Sequence, residues 1–368
     1  MSASPGRERA GAWAAAGRAA GVLIGAGAAI PLLALAALLP STPITPSGAG
    51  FLAASLLGAV ALLTLPWRRR RLRWLGRLAL ASLVLLVGLR LTLHPRSPAL
   101  SLMTGPALGE PRLASRLFDE QDIVLFGERV AARLGLISAR EDAGLAEALH
   151  RGYRDMQSEG ATTLSPFLHT ALGQQRPESF DLLLAEPPGS SPARAAVIFL
   201  HGYSGNFALQ CWLVARPVRS LGAITACPST GVRGDWWSAP GRQIVRATLD
   251  LLRERGVERI YLAGISNGGV GVSRLAPELR DELAGLILIS GADPSVAPPA
   301  LPLLVLHGAQ DERVPADVAG QYVSAAGGGA SAHIVDGDHF VLLKRADAMQ
   351  ALLASWLVRQ EAAADAGR

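Results

Sequence analysis

Apolar residues are distributed differently in the first hundred positions and in the rest of the chain. Three runs are predominantly apolar, and each has about the length, roughly 20 residues, that a helix needs to cross a bilayer. These runs cover residues 19–40, 48–66 and 75–93. The pattern therefore predicts a membrane region of three helices within residues 1–95.

Arginine clusters predict the orientation of this region. Five arginines lie between Trp67 and Trp74, and the amino-terminal tail carries Arg7, Arg9 and Arg18. Because basic loops stay on the cytoplasmic side, we expect the tail and this loop inside, and the chain after about residue 95 outside the cytoplasm. This predicts a multi-pass protein of the cell membrane, in contact with bilayer lipid. A cleaved signal peptide is the alternative for the first run.

Residues 96–115 are rich in proline, serine and glycine and are predicted to form a linker. The segment 116–177 that follows has two stretches with apolar residues at helical spacing, about 116–134 and 139–157. This segment could form a stalk, pack on the following domain or cap a site, and the pattern does not choose among these.

From residue 178 to 360, short apolar runs alternate with helical patterns, which predicts an α/β fold with a mostly parallel twisted sheet covered by helices on both faces. The predicted strands are 180–184, 195–200, 223–227, 260–263, 286–289, 303–306 and 332–335. Predicted helices include 241–255 and 341–358, and residues 361–368 are predicted to form a tail.

The net charge is distributed unevenly along the chain. The net charge of +5 comes from the first hundred residues, which hold 11 of the 35 basic residues and one acid, while the remainder holds 24 basic and 29 acidic residues. A mildly acidic domain without a basic stripe excludes nucleic acid as a partner.

The two cysteines, Cys211 and Cys227, lack the spacing of a metal site. They could form a disulfide in an exported domain, but buried free thiols are the interpretation favoured here. We expect no metal and no cofactor, and the oligomeric state is left open.

The stretch that indicates chemistry is Gly264-Ile265-Ser266-Asn267-Gly268, which follows one predicted strand and opens a helical pattern. This G-x-S-x-G layout is that of a nucleophile elbow, in which a sharp turn lifts the serine above the sheet. A serine hydroxyl needs a neighbouring base to become a nucleophile. Two candidate partners follow the serine along the chain, in the order serine, acid, histidine. The acid is Asp311, in the run His307-Gly308-Ala309-Gln310-Asp311-Glu312-Arg313-Val314-Pro315. The histidine is His339, in the run Asp336 to Phe340 after the last strand.

With these motifs, residues 178–360 resemble the α/β-hydrolase superfamily, and specifically its compact esterases such as dienelactone hydrolases, carboxylesterases and polyester depolymerase-like esterases. The resemblance implies Ser266 as nucleophile, His339 as base and Asp311 as the acid that orients it. Asp293 is a real alternative for the acid, and Asp336 and Asp338 also lie close to the histidine in sequence. The other histidines after residue 100 are interpreted as structural: His150, His169, His201, His307 and His333.

The resemblance also implies an oxyanion hole. The backbone amide of Asn267 is one expected donor, and that of Tyr203, in the run His201 to Asn206, is the other. Trp212, Trp236 and Trp237 are candidates to line an apolar substrate pocket, with ordinary packing as the alternative.

Only residues 290–302 separate the strands before and after the position where this family carries large lids, so we expect an open site. The leading hypothesis is a membrane-anchored serine esterase that acts on small-molecule or lipid-like carboxylic esters. The alternatives are a serine peptidase of the prolyl-oligopeptidase-like type and a non-catalytic membrane protein whose hydrolase-like domain binds a ligand.

Overall fold

The computed structural model describes part of residues 13–27 and then residues 44–63, 70–92, 97, 99–189 and 192–366. These residues form two compact units, one with residues 121–130 joined to the amino-terminal helices and one with the rest.

The first unit contains helices α1 (Pro46–Leu63) and α2 (Arg70–Thr92), which pack on each other. Before α1, the amide and the hydroxyl of Thr45 both donate to the Asp122 carboxylate at 2.8 Å. Among the helices of the described residues, none is long and apolar enough to cross a membrane. Helix α1 ends after 18 residues, and α2 carries arginines near both ends.

The described parts of the predicted membrane spans 48–66 and 75–93 are therefore helical, over residues 48–63 and 75–92, but are not supported as membrane helices. The span 19–40 lies mostly outside the described residues.

The second unit is built on an eight-stranded sheet with helices around it. The strands are β1 (Ser101–Gly105), β2 (Phe180–Ala185), β3 (Ala195–Leu200), β4 (Ile224–Pro228), β5 (Arg259–Ile265), β6 (Gly285–Ile289), β7 (Leu303–Gly308) and β8 (Ala330–Val335). Helix α3 (Glu120–Arg133) belongs mainly to the first unit, which includes its residues 121–130. The other helices of the second unit are α4 (Ala139–Asp142), α5 (Leu145–Ser158), α6 (Phe167–Ala171), α7 (Ala208–Ser220), α8 (Ala239–Glu254), α9 (Asn267–Leu279), α10 (Ala316–Ala326), α11 (Val341–Lys344) and α12 (Ala346–Ala366). Short 3-10 turns occur at Leu113–Arg116, Arg280–Glu282 and Gly327–Gly329.

The sheet order is β1-β2-β4-β3-β5-β6-β7-β8. Strands β1, β2 and β4 pair antiparallel, and all pairs from β4 through β3 to β8 are parallel. Strands β2, β3, β4, β6 and β7 are buried along their whole length, which explains their near-continuous apolar runs, whereas the edge strand β8 is partly exposed. The six parallel strands place their carboxyl ends on one edge.

All seven predicted strands are present, but the prediction missed strand β1. This strand lies inside the predicted linker 96–115 and pairs with β2, with Leu102 opposite Leu183. Its neighbours include Pro106 and Pro111, and its five residues alternate only weakly, so the turn-forming composition hid it.

Two predicted helices are each interrupted. The stretch 139–157 is divided at Gly144, whose φ of +74° is a left-handed conformation that glycine adopts readily. The final helix is divided at Arg345, and α12 continues to Ala366, so the prediction of a tail over 361–368 was wrong for most of its length.

Candidate active site

Ser266 lies at a sharp turn between strand β5 and helix α9. Its φ of +52° and ψ of −121° are strained for a residue with a side chain, as expected of a nucleophile elbow. The turn is possible because the backbone approaches itself at both flanking glycines. A Cβ on Gly264 would lie 2.3 Å from the Gly268 oxygen, and one on Gly268 would lie 2.0 Å from the Leu200 oxygen. Any other residue at these positions would push the serine out of place.

The three side chains predicted to act together meet at the carboxyl edge of the sheet. Asp311 follows strand β7, and His339 follows β8. The Ser266 hydroxyl is 3.0 Å from His339 Nε2, and His339 Nδ1 is 2.8 Å from Asp311 Oδ2. Because a carboxylate accepts, Nδ1 carries the proton and donates to Asp311, which leaves Nε2 free to accept from the serine. This arrangement can remove the serine proton during attack on a carbonyl carbon.

Asp311 is held as a carboxylate by the surrounding groups. Burial raises the pKa of its carboxyl, but the hydrogen bond from His339, the charge of that ring and the backbone amides of Val314 and Arg313 outweigh burial and bring the pKa below its usual value. Both amides donate to Asp311 Oδ1 at 2.9 Å. The acid therefore stays ionised while His339 gains and loses a proton.

His307 is a second imidazole beside this carboxylate. It is fully buried, its Nε2 donates to the Val314 oxygen at 2.8 Å, and the same nitrogen lies 3.4 Å from Asp311 Oδ2. Its role is to hold the turn that carries the acid, which agrees with the structural interpretation of His307.

The expected oxyanion loop passes directly over the elbow. A Cβ on Gly202 would lie 2.9 Å from the Ile265 oxygen and 3.7 Å from the Asn267 nitrogen, so the loop and the start of helix α9 are in contact. The Ser204 amide is already occupied, since it donates to the Val232 oxygen at 2.8 Å. Among the described residues, neither the Tyr203 amide nor the Asn267 amide has an acceptor, so both are available to a substrate oxygen.

Two buried side chains fix this loop. The His201 ring donates from Nδ1 to the Gly202 oxygen at 2.8 Å and accepts at Nε2 from the Thr230 amide at 3.1 Å, which defines a neutral tautomer. Burial lowers the pKa of His201 to about 4. Asn206 donates from Nδ2 to the Cys227 oxygen at 2.8 Å, which ties the end of the loop to strand β4.

The alternative acids lie elsewhere. Asp293 accepts from Arg274 Nε at 2.6 Å and from Ser295, and Asp338 pairs with Lys344 at 2.7 Å. Asp336 pairs with Arg345. Each of these carboxylates has a cation of its own, and Asp311 is the one that contacts His339.

The tryptophans differ in their placement. Trp236 is fully buried, donates from Nε1 to the His201 oxygen at 2.9 Å and packs in the core, so its prediction as a pocket residue was wrong. Trp212 is also buried. It lines a cavity of about 270 Å³ together with residues of α5, α7, α11 and α12, and Ser266 does not line this cavity. Trp237 is half-buried, with the Arg274 guanidinium 4.3 Å from its ring centre, and keeps its place as a candidate substrate contact.

The helical segment between residues 131 and 177 packs beside the site. Arg313, on the turn of the acid, donates to the Glu141 carboxylate and to the Leu136 oxygen. On the oxyanion side, the Phe167 and Phe207 rings stack at 6.0 Å. Residues 290–302 contain no helix, in keeping with the expected lack of a lid there.

The cysteines form a disulfide between helix α7 and strand β4, so the preference for free thiols was wrong. The spacing of 16 residues gave no signal, because the two become neighbours only when α7 packs on β4.

Glu120 was also missed: it is fully buried, and its carboxylate accepts from the Ala208 and Leu209 amides at 2.7 and 2.9 Å, capping α7 from 88 residues away in sequence. Within the described residues, no group of three or more metal-binding side chains is assembled.

No protein-family model and no curated protein matches this sequence. Solved structures do show similarity. Est1E from Butyrivibrio proteoclasticus is 18% identical, with 50% of this chain and 95% of that chain covered and a TM-score of 0.43. An α/β serine hydrolase without a lid from Xanthomonas campestris is 20% identical, with 50% and 91% covered and a TM-score of 0.42. The esterase domain of a Rhodothermus marinus protein is 19% identical, with 50% and 93% covered and a TM-score of 0.41.

These similarities extend across half of this chain. The chain's own features are more specific: a mostly parallel sheet, an elbow after β5, and serine, acid and histidine in that order at the carboxyl edge of the sheet. Together these features are those of an α/β-hydrolase fold.

Proposed function

We propose that this protein is a serine esterase that hydrolyses carboxylic esters through an acyl-enzyme on Ser266. The observation that carries the proposal is the continuous path from the Ser266 hydroxyl through His339 to Asp311, with contacts of 3.0 and 2.8 Å. Since the three residues come from separate loops, their meeting is a product of the fold.

The chemistry follows from this path. The Ser266 oxygen attacks the ester carbonyl carbon as its proton passes to His339 Nε2, and Asp311 stabilises the imidazolium that forms. The carbonyl oxygen becomes an oxyanion, which the amides of Asn267 and Tyr203 bind. His339 then gives its proton to the departing alcohol. A water molecule, deprotonated by His339, attacks the acyl-enzyme and releases the acid and free Ser266.

Labelling with a fluorophosphonate probe tests the proposal. The wild type is expected to label, and S266A is expected not to, because the probe bonds to the serine oxygen. H339A is expected to label far more slowly. A panel of esters and amides then separates esterase from peptidase activity. Equal labelling of all three proteins would overturn the proposal, and turnover of amides but not esters would favour the peptidase.

We also propose that this domain lies outside the cytoplasm. The disulfide between Cys211 and Cys227 supports this location, because disulfides persist in oxidising compartments. The arginine pattern of the first hundred residues points the same way, and attachment to a membrane is a proposal based on that sequence pattern alone. An alkaline phosphatase fusion after residue 100 is expected to be active, since this reporter works only when exported. An inactive fusion, beside an active fusion to a known exported protein, would contradict the location.

A further inference from the structure

The loop of residues 231–234 is fixed to both sides of the candidate active site. The Val232 oxygen accepts from the Ser204 amide at 2.8 Å on the oxyanion loop. The Arg233 oxygen accepts from Asn267 Nδ2 at 2.8 Å, next to the nucleophile. At Gly234, a Cβ would lie 2.9 Å from the His201 oxygen, so the loop also packs closely against the residue that follows strand β3. The backbone of Arg233 is therefore held in a defined place beside Ser266.

The positive charge of Arg233 is unpaired in the part of the chain that the structure describes. Its side chain is exposed, and no carboxylate among the described residues lies within ion-pair distance of it. The other arginines on the loops and helix around Ser266 are neutralised: Arg274 pairs with Asp293 at 2.6 Å, and Arg313 pairs with Glu141. Arg233 thus carries an exposed guanidinium, without a carboxylate partner among the described residues, on a backbone fixed beside Ser266.

A guanidinium suits a carboxylate or another oxyanion, because its planar N–H groups can donate two parallel hydrogen bonds to it. The Tyr203 side chain on the neighbouring loop is 65% exposed, so a cation and an uncovered aromatic ring are both carried by loops next to Ser266. A substrate with a negative charge a few bonds from its ester group would place the carbonyl at Ser266 and the charge at Arg233.

Resting on the proposed esterase function, we propose that Arg233 is a specificity-determining residue that selects esters carrying a negatively charged group close to the scissile bond. The charged group can belong to the acyl part or to the alcohol part. Both share the same chemistry at Arg233, and the test below separates them.

Two matched substrate pairs provide the test. In the acyl pair, para-nitrophenyl hydrogen glutarate and para-nitrophenyl pentanoate differ by a carboxylate in place of a methyl group. In the alcohol pair, para-acetoxybenzoate and para-acetoxybenzamide differ in charge on the leaving group. We expect the wild type to favour the anionic member of at least one pair in kcat/KM, and R233Q to reduce that ratio about tenfold. R233K is expected to recover part of the ratio, and added salt to reduce it by screening.

Arg359 provides the control. It is exposed on helix α12 and lies close in sequence to Glu361. Glu361 pairs with Arg259 at the start of β5, which is the edge of the sheet opposite to the candidate site. R359Q should keep the wild-type ratio, and thermal melting of both variants checks the fold. Turnover of the esters without charge selectivity, or equal ratios in the wild type and R233Q, would overturn this inference alone. If the wild type hydrolysed none of the four esters, the proposed function would fall and this inference with it.

Discussion

At the scale of single residues, the site depends on a few groups whose partners fix their protonation. Asp311 accepts two backbone amides through one oxygen and His339 through the other, so its orientation and charge are both defined. Asp293, the alternative acid, is bound to Arg274 and Ser295 instead. The structure therefore predicts very different consequences for two conservative changes, one at the implied acid Asp311 and one at its alternative Asp293.

We predict that D311N lowers kcat by about four orders of magnitude with a small change in KM, because an amide favours the wrong tautomer of His339 and cannot stabilise its positive charge. The matched change D293N should stay within about threefold of the wild type. Steady-state kinetics on an activated ester, with thermal melting as a check on folding, measures both. A larger loss in D293N than in D311N would move the acid to the end of β6.

At the scale of secondary-structure elements, helix α7 links the oxyanion loop to the rest of the fold. It begins two residues after Asn206, is capped at its amino end by the buried carboxylate of Glu120 and is joined to β4 by the disulfide. Burial raises the pKa of Glu120 to about 7 in spite of hydrogen bonds from Ala208, Leu209, Ser165 and Tyr153. The cap is thus a titrating group close to neutral pH.

This cap predicts a pH dependence of stability. Glu120 titrates near 4.5 when unfolded and near 7 when folded, so the folded state binds more protons between these values. Its contribution to the free energy of unfolding must therefore decrease as the pH rises from about 4.5 to 7, by about 3 kcal/mol in all. E120Q lacks this titration. Urea unfolding of the wild type, E120Q and the exposed control E147Q across this range measures the difference.

The titration of His201 changes the free energy of unfolding with pH in the opposite direction. Its folded pKa of about 4 lies below the unfolded value of 6.5, so stability from this group is present above 6.5 and is lost as the pH falls toward 4. This contribution is common to the wild type and E120Q and cancels in their difference. A difference that does not vary with pH would contradict the role of Glu120.

At the scale of the whole second unit, the sheet and the segment 131–177 act together on the site. The sheet brings the three triad residues to one edge, and the segment holds the turn of the acid through Glu141 and Arg313. Lys344, just after the histidine, donates to the Arg140 oxygen on the same segment at 3.2 Å. The segment therefore supports the triad from outside the sheet.

We predict that E141A lowers kcat roughly three- to tenfold, because Arg313 loses its partner and its amide no longer holds Asp311 as firmly. KM should change little, since Glu141 is buried and contacts Arg313 and Ser138. E147A, an exposed change on the same segment, is the control. The measurement compares kcat of E141A with kcat of E147A. Equal values for the two variants would show that the segment only packs against the site and does not support the acid.

The sequence by itself determined the α/β fold, seven of the eight strands and the order along the chain in which a serine, an acid and a histidine follow the strands. These follow from local patterns, since a buried parallel strand must be apolar throughout and an elbow needs glycines where the backbone crosses itself. The tertiary structure alone decided between Asp311 and Asp293, paired the cysteines, buried Trp236 in the core and left Arg233 without a carboxylate partner among the described residues. Each of these depends on which residues distant in the chain become neighbours, and no local pattern records that.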